Sequence, residues 1–111
     1  MSRHRNALPQ LKGGTYLCDG GLETTLVFHD GLHLPFFAAF PLVTSASGRT
    51  ILERYFEPYL TIGRARGLGF ILDTPTWRAN ADWGEKIGYT RESLAEVQRA
   101  SVTFASEMRR N

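Results

Sequence analysis

The chain has 111 residues, of which 42% are hydrophobic and 22% are charged, and its net charge is +2. This length and composition are typical of a single globular domain. The small net charge, with no run of five basic residues, does not favour a nucleic-acid-binding surface.

The N-terminus and the cysteine count bear on location. The first ten residues carry charge but lack the apolar segment of a secretory signal. No apolar stretch approaches the ~20 residues of a membrane span. Cys18 is the single cysteine, so an internal disulfide is excluded and a reducing compartment is favoured. We therefore expect a soluble, cytoplasmic protein without a membrane or nucleic-acid partner.

The first third of the sequence predicts one strand and one short helix. Residues 1–13 form a polar tail, and residues 14–111 form the folded part. A short β-prone run, residues 15–18, ends at Asp19-Gly20-Gly21, which is a strong turn signal. Residues 22–29 then predict a short helix, and the aromatic segment 32–47 is irregular because it contains two prolines.

The middle of the sequence predicts a long helix. Thr50 and Glu53 fit a capping box, so the helix should run from there to about residue 66. Pro58 should kink this helix, and Gly67 should end it. Its buried face should carry Ile51, Tyr55, Tyr59 and Ile62.

A second strand and a second long helix complete the pattern. Residues 68–72 are continuously apolar, as in a strand covered on both faces. Residues 73–88 predict a loop with one helical turn, and a helix follows Thr90. Residues at spacings of three and four give that helix one buried stripe: Leu94, Val97, Ser101, Phe104 and Met108.

This alternation of strands and helices predicts a parallel sheet. Residues 16–18 and 69–72 should be neighbouring strands, so that their carboxyl ends bring Asp19 close to the segment 74–77. Two strands alone leave unpaired edges, so we expect marginal stability, self-association and a larger assembly.

Both turns at the strand ends could bind a ligand. Asp19 could accept from an ammonium group, and the glycines with the helix N–H groups could hold a carboxylate, which together would suit an amino acid. Asp19 could equally just cap the helix. The segment 73–80 offers hydroxyls, an aromatic ring, the base Arg78 and an amide, or it is a polar loop with Trp77 packed into the core.

These two segments resemble a known family. Residues 19–26, Asp-Gly-Gly-Leu-Glu-Thr-Thr-Leu, resemble the Asp-Gly-Gly-x-x-Thr opening of homocysteine S-methyltransferases. Residues 74–80, Thr-Pro-Thr-Trp-Arg-Ala-Asn, resemble the loop after the family's second strand. Gly88-Tyr89-Thr90 and the following helix are also similar, so the resemblance covers residues 15 to about 108.

The resemblance implies an α/β fold, a partial TIM-type (β/α) barrel that contains the first βα units only. It implies methyl transfer from a small donor to the sulfur of homocysteine, which gives methionine. Asp19, Gly20 and Gly21 would contact homocysteine, and Thr76 and Trp77 would line its pocket. In the family, three cysteines hold a zinc ion that binds the homocysteine sulfur as thiolate.

The sequence departs from the family at the metal. A zinc site needs three or four protein ligands, and Cys18 has no companion thiol, so we assign this chain no catalytic residue, metal ligand or cofactor. His29 and His33 have ligand spacing, but Asp30-Gly31 breaks the helix between them. Nothing in the spacing of Asp19, Glu23 and Asp73 supports the carboxylate pair of a glycosidase.

The chain is therefore expected to be a truncated fragment, inactive alone, that associates with itself or with a complementing C-terminal half. The alternative is a non-catalytic half-barrel that binds an amino acid or a partner protein.

Overall fold

The computed structural model describes residues 4–110. They form two strands and four α-helices: β1 (Tyr16–Cys18), α1 (Leu22–Thr24), α2 (Ala46–Arg66), β2 (Gly69–Ile71), α3 (Ala81–Ile87) and α4 (Arg91–Arg110). A π-helical turn, Thr25–His29, continues α1, and three 3-10 helices span Pro9–Lys12, Pro35–Phe37 and Phe40–Thr44.

The predicted pairing of the two strands is confirmed. β1 and β2 are parallel neighbours, with Tyr16 opposite Gly69 and Cys18 opposite Ile71. The second strand ends at Ile71, one residue earlier than predicted. A Cβ at Gly69 would meet the ring of Tyr16, so a larger residue there would require that ring to move. The two strands therefore end together at one edge.

The predicted partial TIM-type barrel is wrong. The structure is 64% helical, and residues 4–110 contain only these two strands of three residues each. In a barrel the strands carry the core. Here the 3-10 helix Phe40–Thr44 contacts both α2 and α4, and its Phe40 and Val43 are fully buried. The core is therefore built between helices rather than on a sheet.

Aromatic side chains fill this core. Phe56 of α2 and Phe104 of α4 are almost fully buried, with ring centroids 6.3 Å apart. The ring of Phe40 packs edge-on against Tyr89, with centroids 5.2 Å apart. Burying large rings of this kind contributes most of the packing energy of a small core.

Helix α2 begins four residues before the predicted capping box. Ser45 is its N-cap, and the Ser45 Oγ accepts a hydrogen bond from the Gly48 N–H at 3.0 Å. Thr50 lies inside the helix, where its hydroxyl donates to the Ala46 carbonyl at 3.1 Å. The end at Gly67 is confirmed, since Gly67 adopts the left-handed conformation with φ 65°.

The predicted buried face of α2 is only partly correct. Ile62 is 54% exposed, and the buried residues of the helix include Leu52, Phe56 and Leu60. The predicted loop at 73–88 contains the two-turn helix α3, which Asn80 caps by accepting from the Trp83 N–H at 3.1 Å. The capping amide is a helix start signal that the sequence analysis did not use.

The predicted stripe on α4 is confirmed at four positions, since Val97, Ser101, Phe104 and Met108 are buried, while Leu94 is half-buried.

Within the predicted tail, the 3-10 helix Pro9–Lys12 buries no residue. Residues 1–3 of the tail lie outside the described residues. Among residues 4–110, no helix has the length and apolar character needed to cross a membrane.

Candidate functional site

A cavity of about 470 Å³ lies at the carboxyl ends of β1 and β2. All five residues predicted to bind a ligand line it: Asp19, Gly20, Gly21, Thr76 and Trp77. The other lining residues are Leu22, Glu23, Thr24, Phe37, Phe56, Asp73, Thr74 and Pro75. The structure thus brings together two segments that are far apart in the sequence, because parallel strands deliver both turns to one edge.

The first wall is the turn from β1 into α1. Gly21 has φ 73° and ψ 44°, a left-handed conformation that glycine adopts without strain. Gly21 is also the N-cap of α1, and no side chain caps this helix. Asp19 is half-buried, and its Oδ2 accepts a hydrogen bond from the Tyr55 hydroxyl at 2.7 Å. Asp19 is therefore held towards α2 and does not act as a helix cap.

Two tyrosines of α2 form hydrogen bonds with this turn, on the side away from the cavity. The Gly20 carbonyl oxygen lies 3.0 Å from the hydroxyl of Tyr55 and 3.0 Å from the hydroxyl of Tyr59. Burial, and next the hydrogen bond to Asp19, raise the pKa of Tyr55 above its usual range. Tyr55 therefore stays protonated at neutral pH and remains a donor.

The second wall follows β2. The hydroxyls of Thr74 and Thr76 lie 3.0 Å apart, and the Thr76 N–H donates to the Thr74 carbonyl at 2.8 Å. The Trp77 ring is 52% exposed and stands edge-on to Phe37, with centroids 6.4 Å apart. Trp77 is thus a wall of the cavity and not a core residue.

Arg78 packs against the ring of Trp77 from outside the cavity. Its guanidinium lies 4.3 Å from the Trp77 ring centroid and 3.9 Å from that of Trp83. One guanidinium nitrogen donates to the Phe36 carbonyl at 2.6 Å. Cation–π contacts and this hydrogen bond together fix the orientation of Trp77.

The charged residues that line the cavity are acidic. Asp19, Glu23 and Asp73 line the cavity, and no lysine or arginine stands among the described lining residues. Such a lining favours a ligand that carries a positive charge, such as an ammonium group. The carboxylate subsite expected at the start of α1 has weaker support, because α1 itself has only three residues.

The described residues do not suit a zinc ion. Across residues 4–110, no group of three or more His, Cys, Asp and Glu side chains is placed to hold a metal. Cys18 is an exposed free thiol at the end of β1. His29 ends the π-helical turn and Asp30 is its C-cap, so the chain leaves the helix before His33. The zinc ligands that the family resemblance implies are not supplied by this part of the chain.

Sequence reasoning included Arg78 in the candidate segment after β2, but it did not place Tyr55 and Tyr59 beside the turn at Asp19–Gly21. The two tyrosines were assigned to the buried face of α2, and their spacing of four residues, with a hydroxyl on each ring, was the available signal. A buried tyrosine hydroxyl needs a partner, and for Tyr55 the partner is the turn at Asp19 and Gly20.

Comparison with protein families, with curated proteins and with solved structures finds no match to this chain. The functional assignment is therefore carried by the cavity and its residues.

Proposed function

We propose that this chain is homocysteine S-methyltransferase-like and that its cavity binds the amino-acid end of homocysteine. The observation that carries the proposal is the shared cavity, in which the turn at Asp19–Gly21 faces the loop at Thr74–Trp77. These are the two segments whose sequences resemble the family. The single cysteine supports a reducing, cytoplasmic location.

The chemistry of the lining supports binding of the ammonium group and the side chain of an amino acid. Asp19 offers a carboxylate to the ammonium group, and the threonine hydroxyls of Thr74 and Thr76 offer further polar contacts. Trp77 and Phe37 provide an apolar surface for a short aliphatic or thioether side chain. A volume of about 470 Å³ is within the usual range of small-molecule pockets.

The role proposed for this chain is binding and not thiol activation. A free thiol has a pKa near 8.5, so most homocysteine is protonated at neutral pH. The chain's thiol set, Cys18 alone, does not fit the zinc that activates the sulfur in the family. We propose that methyl transfer from a small donor requires a complementing C-terminal half that supplies those ligands.

The test is calorimetric titration of homocysteine, under reducing conditions, into the wild-type chain and Asp19→Asn. The substitution keeps the size of the side chain but removes its charge. Loss of a charge-assisted hydrogen bond costs about 1.5–3 kcal/mol, so we expect the affinity to fall by about 10- to 100-fold.

The matched control is Asp30→Asn. Asp30 is exposed and does not line the cavity, so the affinity should remain within about twofold of wild type, since exposed charges contribute little. Equal affinity in wild type and Asp19→Asn, or no binding by wild type, would contradict the proposal.

A further inference from the structure

We propose that Tyr55 is a positioning residue that orients the Asp19 carboxylate and thereby sets the preference of the cavity for ligands with an ammonium group. The inference rests on the proposed function but concerns a residue of α2 that does not line the cavity. It follows from the hydrogen bonds that join α2 to the first wall.

The hydrogen bond from Tyr55 to Asp19 is the shorter of the two that the Tyr55 hydroxyl makes with the first wall. The Tyr55 oxygen lies 2.7 Å from Asp19 Oδ2 and 3.0 Å from the Gly20 carbonyl oxygen. A hydroxyl has one proton, and it bonds more strongly to an ionised acceptor than to a neutral carbonyl. Donation to Asp19 therefore dominates, and it fixes Oδ2 while Oδ1 is left to accept from the ligand.

The Tyr55 hydroxyl is itself held rigidly. Tyr55 is 6% exposed, and its ring packs edge-on against Phe56, with centroids 5.0 Å apart. The ring of Tyr59 lies tilted against it, with centroids 5.3 Å apart. Tyr55 also lies in the middle of the 21-residue helix α2. The donor is thus in place before a ligand arrives, which reduces the ordering cost of binding.

Tyr59 provides a natural comparison. It lies one helical turn further along the same face, and its hydroxyl donates to the Gly20 carbonyl at 3.0 Å. Tyr55→Phe and Tyr59→Phe each remove one hydroxyl from the same turn. Of the two hydroxyls, that of Tyr55 is the one that bonds to the carboxylate.

The experiment measures the affinities of wild type, Tyr55→Phe and Tyr59→Phe for homocysteine and for 4-sulfanylbutanoate, its analogue without the amino group. We expect the preference for homocysteine over the analogue to fall about 5- to 10-fold in Tyr55→Phe. Without the hydrogen bond from Tyr55, the Asp19 carboxylate must be ordered when the ligand binds, and this costs binding free energy. In Tyr59→Phe the preference should stay within about twofold. Thermal melts of both variants check that they fold.

An equal loss of affinity for both ligands in Tyr55→Phe, with an unchanged preference, would overturn the inference and leave a merely structural role. A second readout needs no ligand. In the free protein the carboxyl carbon resonance of Asp19 should move in Tyr55→Phe and stay in place in Tyr59→Phe. An unmoved resonance in Tyr55→Phe contradicts the positioning role, whereas failure of wild type to bind homocysteine contradicts the proposed function.

Discussion

Ser101 is a polar residue of α4 that lies in the apolar core and destabilises the fold. It is fully buried, and its Oγ has no hydrogen-bond partner among residues 4–110. A buried hydroxyl without a partner costs roughly 1–3 kcal/mol in protein mutational data. Ser101→Ala removes this cost and also suits a helix interior better. We expect the free energy of unfolding to rise by about 1 kcal/mol, measured by urea denaturation with an unchanged m-value.

Ser93 of the same helix is the matched control, because its hydroxyl does have partners. It accepts from the Thr90 N–H at 2.8 Å in the first turn of α4. Ser93→Ala should therefore lower stability by about 0.5–1 kcal/mol. Loss of stability in both variants would show that the Ser101 hydroxyl is satisfied in solution.

The cavity shows which residue-level features the sequence could predict. Asp19 and Gly21 lie in the turn after β1 and Trp77 lies in the loop after β2, so local sequence places them at the carboxyl edge of the strands. Tyr55 and Arg78 bond to groups 36 and 42 residues away, and such pairings depend on packing that no local pattern encodes. The residues that line the cavity were predictable, and the long-range hydrogen bonds that hold them were not.

Helix α2 shows the same limit at the scale of an element. Its end follows from Gly67, which supplies the left-handed cap. Its start was placed too late because Thr50 and Glu53 satisfied the capping-box pattern, while Ser45 performs the capping. Competing caps within a few residues are decided by the chain that precedes the helix, here the 3-10 helix Phe40–Thr44.

That 3-10 helix also explains why the predicted barrel is wrong. The prolines of the segment 32–47 correctly indicated irregular structure. They did not reveal that Phe40 and Val43 would occupy the space between α2 and α4. A short, aromatic connection has no periodicity from which its burial could be predicted.

The close approach of this 3-10 helix to α2 predicts an unusual response to alanine. A Cβ at Gly48 would collide with the backbone carbonyl of Leu42. Although alanine is the better helix former, Gly48→Ala should lower the free energy of unfolding by about 1–3 kcal/mol, as overpacked cores do. Thermal and urea denaturation measure the effect.

Gly63 of the same helix is the control. A Cβ there would lie 3.6 Å from the Phe70 ring, an ordinary van der Waals contact. Gly63→Ala should therefore raise stability by about 0.5–1 kcal/mol. A stabilised Gly48→Ala variant would show that α2 and the 3-10 helix Phe40–Thr44 are further apart than described.

On the scale of the whole molecule, the core and the cavity lie in different places. The core lies between α2, α4 and the 3-10 helix Phe40–Thr44, whereas the cavity lies at the ends of two short strands. Large apolar side chains remain exposed, including Phe28 (73%) and Phe36 (50%). Tyr55 connects the two regions, since its ring packs within α2 and its hydroxyl reaches Asp19.

We propose that the two strand-end segments form one amino-acid-binding cavity. The most direct test is titration of homocysteine into the isotope-labelled chain, followed through the amide resonances of Gly20, Gly21 and Thr76 and the indole N–H of Trp77. We predict that all four move along one saturable curve with a single dissociation constant, because both segments line the same cavity. Shifts confined to one segment, or no saturable shifts at either, would contradict the account.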